Sequence, residues 1–562
     1  MKIKTITIHN FRSIKSAEIT MGDYSLLAGA NNSGKSNMID AIRMFFEGRD
    51  YGLKFDKGRD LPKFDTDEES WIDIEFNLTE NENANLKDEW RQPENRLKVR
   101  KYLVTKETGK DGKAKSGIYA FMQDGSIADE HFYGAKNVQQ GKLGDIIYIP
   151  AVSKLDDHTK LSGPSVFRNL LEDIFKKLVK NSSAFQKLQD GFGDFSTNFK
   201  EEKTEDDRSL CGLEKDISDE IEDWDTSFKL LLNPIDEAAI VKNLIDYKII
   251  DKNLNGSELP ASNFGQGFQR HLIFTLIKIA AKYQSSIIGS GKKEFKPDMS
   301  LLLFEEPEAF LHPPQQSVLC QSLKIIGNQP GQQVLLSSHS SHFVSHSSDD
   351  MPAVIRLIRT NGQTKCGQIS DDSLHAIFSE NQKINTLLQG TPCAPDSDDL
   401  KSDMEAIKYF MWLDPSRCGM FFAGQVLLVE GATEKVLLNY LLAENMLKPP
   451  KGGIYFLDCL GKFNIHRFMN ICGPMCICHS VLYDTDGNSS VHTAIQQLIE
   501  SSKNEYTTKI DSFPKDIEDF LGIEKCNKAH RKPQHVMLKV KENAISKEKI
   551  DLLITKVNNL IS

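Results

Sequence analysis

The stretch LAGANNSGKSNMID, residues 27–40, contains a glycine-rich turn between an apolar run and an amphipathic segment. It satisfies the pattern G-x-x-x-x-G-K-[ST], in which a strand leads into a phosphate-binding loop and a helix follows. The apolar residues 24–28 predict the strand, and Met38, Ile42 and Phe45 would share one face of the helix. The stretch therefore predicts an α/β fold with a nucleotide site at this turn.

The chemistry of such a loop comes from its backbone and from two side chains. Backbone N–H groups at a helix N-terminus bind phosphate oxygens, Lys35 would reach the β- and γ-phosphates, and Ser36 would bind Mg²⁺. A chance glycine turn is the alternative, but it would not require the flanking strand and helix. The predicted nucleotide-binding residues of this loop are Gly29, Asn31, Asn32, Gly34, Lys35, Ser36 and Asn37.

A second buried strand is predicted to bring carboxylates to the same site. SLLLFEEPEAFLHP, residues 300–313, places four apolar residues directly before Glu305 and Glu306. Two adjacent carboxylates at the end of a buried strand are costly unless they have a partner. We expect Glu305 to assist Mg²⁺ and Glu306 to activate the attacking water, although a strand that ends at solvent would show the same letters.

The C-terminal part carries a second group of acidic residues. Glu430 ends the apolar run QVLLV, Glu434 follows four residues later, and i and i+4 positions share one helix face. Asp484 and Asp486 end another apolar run, where alternate residues point to one side. Among Asp516, Glu518 and Asp519, Glu518 is the expected further ligand. Such oxygen ligands favour Mg²⁺ or Mn²⁺.

Length and composition limit the class of protein. The 562 residues exceed one core, and 39% hydrophobic with 26% charged residues is ordinary for a globular chain. The start resembles a strand and no apolar run is long enough for a membrane helix, so we expect a cytoplasmic protein without membrane contact. Ten cysteines then suggest reduced thiols. The net charge of −10 confines any DNA contact to a local basic surface.

The patterning predicts several domains along the chain. Residues 72–150 alternate like short strands, whereas residues 163–250 have helical spacing, for example at Val166, Leu170, Leu171, Ile174 and Leu178, mixed with acidic runs. A polar, proline-containing stretch, residues 387–403, marks a linker. The predicted domains are 1–160, the first part of an ATPase with its phosphate-binding loop; 161–254, a helical insert; 255–385, the second part of the ATPase; 386–420, a linker; and 421–562, a second α/β domain.

Four segments occur in the order found in ABC-type ATPases of the SMC/RecF kind. They are IHNFRSI, FGQGFQR, EEPEAFLHP and LLSSHSSHF. By this resemblance, the FGQGFQR segment looks like the signature loop, and His339 looks like the histidine that contacts the γ-phosphate of ATP. The signature residues would be Gly265, Gln266, Gly267 and Gln269. Such ATPases complete each site with a second subunit, so the resemblance implies a homodimer or a higher homo-oligomer.

The acidic pattern of the C-terminal part resembles the TOPRIM fold, and the whole order resembles the OLD (overcoming lysogenisation defect) family of endonucleases. The resemblance covers residues 1–160 and 255–545. It implies an ABC/SMC-like P-loop ATPase with a dimerisation-type helical insert, followed by a TOPRIM α/β domain. It also implies that two metal ions cleave the phosphodiester bond. A basic residue would assist this cleavage, and Lys532 is the first candidate and Lys539 the second. The implied metal-site residues are Glu430, Glu434, Asp484, Asp486 and Glu518.

The expected function is therefore an ATP-regulated DNA endonuclease that requires Mg²⁺ or Mn²⁺ and belongs to antiphage defence. Relatives of this kind act alone, with a helicase-like subunit, or with a retron reverse transcriptase and its multicopy DNA, and the sequence leaves this choice open. The rival hypothesis is a RecF/SMC-like DNA-binding repair ATPase with a TOPRIM domain that does not cleave. A topoisomerase or a primase is a weaker alternative.

Three further groups of residues could bind a metal ion or DNA, and two of them also have a structural interpretation. Cys472, Cys476, Cys478 and His479 could bind zinc, but without a second ligand pair we expect buried thiols. The lysines between 98 and 115 could contact DNA or form an exposed charged hairpin, and we favour the hairpin. The basic run of Lys525, Lys528, Arg531 and Lys532 could contact DNA near the predicted metal site.

Overall fold

The computed structural model describes two compact units, one comprising residues 1–151 and 292–562 and the other comprising residues 152–291. Within the described residues, no helix is long and apolar enough to cross a membrane. The described residues are 1–46, 53–109, 112–135, 143–151, 171, 182–224, 226–230, 232, 240, 248–252, 257–259, 263–265, 267–269, 271, 272, 275, 276, 279, 295, 297, 299–309, 311–344, 348–391, 393–487 and 489–562.

The strands follow the chain from residue 2 to residue 513. They are β1 (Lys2–Phe11), β2 (Ile14–Thr20), β3 (Tyr24–Ala28), β4 (Ser70–Asn77), β5 (Arg96–Val104), β6 (Gly117–Phe121), β7 (Ile127–His131), β8 (Asp145–Ile149), β9 (Ile249–Asp251), β10 (Ser257–Leu259), β11 (Ser300–Glu305), β12 (Gln332–Ser337), β13 (Val354–Thr360), β14 (Gln363–Gln368), β15 (Gln425–Val429), β16 (Ile454–Asp458), β17 (His479–Asp484) and β18 (Thr507–Phe513).

The helices are distributed over both units. They are α1 (Lys35–Phe46), α2 (Lys57–Asp60), α3 (Glu80–Ala84), α4 (Ser183–Glu201), α5 (Leu210–Glu220), α6 (Pro313–Gly327), α7 (Asp371–Asn381), α8 (Lys383–Leu388), α9 (Ser402–Trp412), α10 (Ala432–Ala443), α11 (Ile465–Cys472), α12 (Ser490–Ser501), α13 (Ile517–Leu521), α14 (Lys532–Lys541) and α15 (Lys547–Ile561).

Three larger sheets form the first unit. An antiparallel sheet has the order β2-β1-β4-β5-β6-β7, and a mostly parallel sheet has the order β14-β13-β3-β12-β11-β8. Residues of α1 and of both sheets, among them Ile6, Met38, Phe45 and Leu303, share one apolar core. A fully parallel sheet, β16-β15-β17-β18, has a second core with α10 and α15. Parallel strands bring their carboxyl ends to one edge, where loops can place functional side chains.

The structure confirms the predicted α/β class and most of the strands expected in the first unit. The strand before the glycine turn is β3, the helix after it is α1, and its apolar residues are fully buried. Residues 3–8 lie in β1, but a further strand, β2, intervenes before β3 because Ile14, Ala17 and Ile19 alternate toward the core. The short strands expected within 72–150 are β4 to β8.

The expected helical character of residues 163–250 is visible in α4 and α5 of the second unit. Each helix begins after a serine, Ser182 or Ser209, whose side chain accepts a backbone N–H of the first turn. Of the apolar residues that carried the expectation, Val166, Leu170, Ile174 and Leu178 lie outside the described residues.

The polar stretch predicted as a linker leads into α9, which packs against the C-terminal part of the same unit. Arg467 on α11 forms two hydrogen bonds of 2.9 Å with the fully buried carboxylate of Glu405. Tyr409, also fully buried, donates its hydroxyl to Arg467 O at 3.0 Å and accepts from Asn381 at 2.8 Å. This network fixes α9 to α11 and α7 through satisfied buried polar groups.

Candidate active sites

The first candidate site lies at the carboxyl edge of the mostly parallel sheet. β12 pairs with both β3 and β11, so that Ser337 lies between Leu27 and Glu305. The glycine-rich loop begins two residues after Leu27, and His339 follows β12. Strand order therefore brings the loop close to Glu305 and His339, although about 300 residues separate the loop from these two residues in sequence.

The glycine-rich loop needs glycine at two positions for steric reasons. Gly29 has a φ of 143°, and a Cβ there would lie 2.3 Å from Leu357 O. Gly34 has a φ of 111°, and a Cβ there would lie 2.3 Å from Thr364 Oγ1. Both conformations are unfavourable for any residue with a side chain. β13 and β14 thus pack directly against the backbone of the loop.

Lys35 is held inside the loop by backbone carbonyls. Its Nζ donates to Gly29 O at 2.8 Å and to Ala30 O at 3.0 Å. Burial lowers the pKa of Lys35 to about 8, although Glu306 and Glu308 act in the opposite direction. A phosphate group would supply the negative charge that favours the ammonium form. The position and charge of Lys35 fit the predicted phosphate contact.

The other predicted loop residues divide into exposed and structural groups. Asn31 and Ser36 are exposed, as phosphate and metal contacts require. Asn32 accepts a hydrogen bond of 2.8 Å from Arg359 on β13. Asn37 donates to Ser13 Oγ at 2.7 Å, so its amide ties α1 to the turn between β1 and β2.

The acidic side of this site contains one residue more than the sequence indicated. Glu305 accepts a hydrogen bond of 3.2 Å from Tyr148, and burial raises the pKa of Glu305. Glu306 lies 3.7 Å from His339 Nε2. Burial also raises the pKa of Glu308, which accepts the backbone N–H of His339 at 2.6 Å. Glu308, the last acidic residue of EEPE, was missed because only the fold brings it to His339.

The predicted signature loop lies in the second unit. Gln269 donates its backbone N–H to Gly265 O at 3.2 Å and its side-chain N–H to Phe264 O at 2.7 Å, and Gly267 begins the helical segment. Gln266 lies outside the described residues.

The second candidate site lies at the carboxyl edge of the fully parallel sheet. Glu430 follows β15, Asp484 ends β17, and Asp516 caps the N-terminus of α13 after β18. Glu430 Oε2 accepts the backbone N–H of Asp484 at 3.2 Å, which joins the ends of the two neighbouring strands. Glu434 and Glu518 are fully buried beside them.

Glu430 and Glu434 converge for a different reason from the one inferred from their spacing. Glu430 lies outside the helix, since α10 begins at Ala432, and the shared-helix-face argument is wrong. Glu434 lies in the first helical turn and folds back to accept the N–H of Gly431 at 3.0 Å. This capping contact directs its carboxylate toward the strand end.

Burial and mutual repulsion disfavour ionisation of the central carboxylates. Burial, with Glu434 and Glu430 adding repulsion, raises the pKa of Asp484 to about 8. Burial raises the pKa of Glu430 to about 7, and it also raises the pKa of Glu434. Asp484 Oδ1 is buried without a hydrogen-bond partner among the described residues. The protein therefore supplies too few hydrogen bonds and opposite charges to stabilise these three carboxylates in ionised form.

Lys532 is the lysine that the structure brings to these carboxylates. Its Nζ lies 3.6 Å from Asp484 and 3.7 Å from Glu518. Burial would lower the pKa of Lys532, but the nearby carboxylates raise it. Lys539, the sequence alternative, instead pairs with Glu542, the residue directly after the same helix. The geometry therefore distinguishes two lysines that the sequence could not.

The remaining acidic candidates have separate partners. Asp516 pairs with Lys525 at 2.9 Å, Asp519 is exposed, and Glu518 accepts the N–H of Cys526 at 2.9 Å. Asp486 lies beyond β17 and pairs with Lys462, a residue that the sequence interpretation missed. Its signal was a lysine beside a glycine, GK, directly after the strand β16.

The donor set of this second site fits a hard divalent cation. Carboxylate oxygens are the preferred ligands of Mg²⁺ and Mn²⁺, and Asp484 offers one oxygen without a protein partner. In the part of the chain that the structure describes, no group of three or more acidic, histidine or cysteine side chains is placed so that it could hold a metal ion as it stands. The residue types of the site therefore fit such an ion, whereas their present side-chain positions do not form its ligand shell.

The cysteine cluster has the structural role that we expected. Cys472 and Cys476 are buried, and both ring nitrogens of His479 are occupied, by Ile477 O at 2.8 Å and Thr507 Oγ1 at 2.9 Å. Cys476 and Cys478 directly precede β17, and Cys478 is only partly buried, so the expectation of buried thiols holds for Cys472 and Cys476 but not fully for Cys478.

Several lysines between residues 98 and 115 make contacts with other groups of the protein. Lys101 donates to Met44 O and Phe45 O at the end of α1, at 2.7 and 2.8 Å. Lys98 lies over the ring of Phe121, and Lys115 donates to Glu107 at 3.1 Å. These contacts favour the structural interpretation of the hairpin.

Comparison with known proteins relates both parts of the chain to known families. Residues 1–344, more than half of the chain, match the AAA ATPase domain family. Residues 421–486 match the TOPRIM domain of overcoming lysogenization defect protein-like proteins. The predicted order of an ATPase followed by an OLD-like TOPRIM domain is confirmed.

Individual relatives are similar along most of the chain. The Old nuclease of Escherichia phage P2 is 24% identical, over 97% of this chain and 91% of its own length. Endonuclease GajA of Bacillus cereus (strain VD045) is 22% identical, over 86% of this chain and 75% of its own length. Among solved structures, an SMC head bound to the C-winged helix domain of ScpA has 14% identity and a TM-score of 0.36, over 66% of this chain and 99% of that one.

Proposed function

Because this chain belongs to the AAA ATPase domain family and ends in an OLD-like TOPRIM domain, we propose that it is an ATP-regulated, metal-dependent DNA endonuclease. The observation that carries the proposal is the buried carboxylate group of Glu430, Glu434, Asp484 and Glu518 beside Lys532. Buried carboxylates with raised pKa values often mark functional sites. The names of the nuclease relatives support DNA cleavage as that function.

At the nuclease site, Glu430, Glu434, Asp484, Asp486 and Glu518 would hold Mg²⁺ or Mn²⁺. Bound ions of this kind activate the attacking water and stabilise the leaving oxygen. Glu430, whose pKa burial raises to about 7, would be held in its ionised form by the bound cation. Lys532 would donate hydrogen bonds to a phosphate oxygen of DNA, since its ammonium group already faces the carboxylates.

At the nucleotide site, Lys35 would exchange its two carbonyl acceptors for phosphate oxygens of ATP. Ser36 and Glu305 would hold the Mg²⁺ of the nucleotide, and Glu306 would orient the attacking water. His339, which lies beside Glu306, would contact the γ-phosphate. Hydrolysis would then act as a switch on the nuclease site.

We further propose a homodimer or a higher homo-oligomer, in which the signature loop of one subunit completes the nucleotide site of another. This loop comprises Gly265, Gln266, Gly267 and Gln269. We also propose a cytoplasmic location, because the proposed substrate is DNA, and a role in antiphage defence, because the domain order resembles that of the OLD family. The protein would act alone, with a helicase-like subunit or with a retron reverse transcriptase. Plaque counts on cells with and without the gene test the defence role.

A plasmid assay tests the nuclease proposal. Purified protein is incubated with supercoiled DNA and Mg²⁺ or Mn²⁺, with and without ATP. We expect Glu430→Ala to abolish cleavage, Lys35→Ala to change only its response to ATP, and Glu444→Ala, an exposed glutamate of the same domain, to cleave normally. DNA-stimulated ATP hydrolysis without cleavage in any metal would instead support the RecF/SMC-like binding ATPase.

A further inference from the structure

A buried lysine holds the loop that carries Asp486. The side chain of Lys462 is only 2% exposed. Its Nζ donates to Asp486 Oδ2 at 2.5 Å, and to Asp484 O and Thr485 O at 3.3 Å each. An ammonium group has three hydrogens. All three therefore have acceptors within one three-residue segment.

Sheet topology makes this contact a bridge between strands that are not neighbours. Lys462 follows β16, whereas Asp484 ends β17, and β15 lies between these two strands in the order β16-β15-β17-β18. The residue before the lysine, Gly461, donates its N–H to Glu430 O at 2.7 Å. Lys462 thus joins the ends of β15, β16 and β17, the strand ends around which the acidic residues gather.

The segment that Lys462 holds has an uncommon backbone conformation. Asp486 has a φ of 52°, in the left-handed region, where residues with side chains need supporting contacts. On one side, Asp486 donates its N–H to Lys515 O at 2.9 Å and Thr485 donates to Phe513 O at 3.1 Å. On the other side is Lys462, which is the sole hydrogen-bond donor to the Asp486 carboxylate within the described part of the chain.

We propose that Lys462 is a positioning residue of the nuclease site, which fixes the Asp486 carboxylate and the Asp484 backbone for divalent-ion binding. The inference rests on the proposed function, because it assigns these aspartates to a metal site. Without the lysine, the Asp486 carboxylate loses its partner and the loop loses three hydrogen bonds. Loss of such supporting contacts typically lowers metal affinity about 10- to 100-fold.

Manganese binding measured by calorimetry, without nucleotide, tests the proposal on the full chain. We expect Lys462→Met to bind Mn²⁺ at least about tenfold more weakly than the wild type. The matched control is Lys503→Met, because Lys503 is an exposed lysine of the same domain that pairs only with Glu500. Equal Mn²⁺ affinity of Lys462→Met and the control would overturn the proposal.

A double-mutant cycle with Asp486→Asn separates positioning from a general loss of packing. If Lys462 acts through Asp486, the double variant binds Mn²⁺ no more weakly than the weaker of the two single variants. Fully additive losses would contradict this. If Lys462→Met loses its cooperative thermal transition, Lys462→Gln replaces it, because glutamine retains two N–H donors. Unchanged Mn²⁺ affinity of Lys462→Gln would also overturn the proposal.

The cleavage assay gives an independent measurement and separates this inference from the proposed function. A positioning role predicts that Lys462→Met needs more Mn²⁺ for half-maximal cleavage and recovers most of its kcat at saturating Mn²⁺. Wild-type protein that binds Mn²⁺ but cuts no DNA would refute the nuclease proposal alone. Normal cleavage and normal Mn²⁺ binding by Lys462→Met would refute the role of Lys462 alone.

Discussion

Replacing Asp484 by asparagine should stabilise the metal-free protein while it removes the nuclease activity. Burial raises the pKa of Asp484 from 3.8 to about 8. Between these two values, the folded state keeps a proton that the unfolded state releases. Its contribution to stability is therefore fully present below pH 3.8 and is lost as the pH rises toward about 8. The asparagine side chain does not ionise, so the stability of the Asp484→Asn variant does not fall with rising pH for this reason.

The size of the effect follows from the proton linkage. Within this window, each pH unit lowers the free energy of unfolding of the wild type by about 1.4 kcal/mol. Near pH 7.5, Asp484 is partly ionised in the folded state, so the decrease there is slightly smaller. From pH 5.5 to 7.5, the stability of Asp484→Asn relative to the wild type should rise by about 2 to 3 kcal/mol. For the compact unit of residues 1–151 and 292–562, with an unfolding entropy of about 2.1 cal/mol/K per residue, the change corresponds to about 3 °C in Tm.

Scanning calorimetry of the full-length protein in EDTA, at pH 5.5 and 7.5, measures this difference. The control is Asp519→Asn, since Asp519 is exposed and pairs only with Lys515, and its Tm should follow the wild type at both pH values. Adding Mn²⁺ should stabilise the wild type more than Asp484→Asn. A Tm difference that is the same at both pH values would refute the buried, proton-retaining carboxylate.

Three further substitutions test other parts of the structure. Gly34→Ala should weaken ATP binding about tenfold or more, because the new Cβ would meet Thr364 at 2.3 Å at a φ of 111°; unchanged binding of a fluorescent ATP analogue would contradict the loop geometry. Arg356→Met should lower the unfolding free energy by at least about 3 kcal/mol, since its buried guanidinium donates to the carbonyls of four residues, and an unchanged denaturation midpoint would argue against it. Arg467→Met should cost about 3 kcal/mol, because it removes two hydrogen bonds from the buried carboxylate of Glu405 and leaves Lys408 as its charged partner, and Glu405→Gln in the same background should recover part of the loss.

Local patterns were sufficient for the parts of the fold and site that depend on near neighbours. The β3, turn and α1 unit follows from residues 24–46, because strand periodicity, glycine positions and helix periodicity all lie within one short segment. Glu430 and Asp484 could be located because each ends an apolar strand. The reason given for Glu434 was wrong, since its convergence depends on a capping contact and not on a shared helix face.

Residues that act through long-range contacts could not be found in this way. Glu308 meets His339 only because β11 and β12 pair, and Lys462 meets Asp486 only because the sheet order places β15 between β16 and β17. The same applies to Arg356, whose acceptors lie between residues 421 and 476. None of these partners is signalled by the letters around the residue itself.

The sequence by itself determined the two kinds of chemistry in this protein, a phosphate-binding loop and a group of acidic strand ends, because each depends on residue type within a short segment. Only the tertiary structure decided which lysines lie beside the acidic residues, Lys532 rather than Lys539 near Asp484 and Lys462 beside Asp486. The physical reason is that strand order and burial set the distances between charges and the solvation of each carboxylate. Neither quantity can be obtained from positions along the chain.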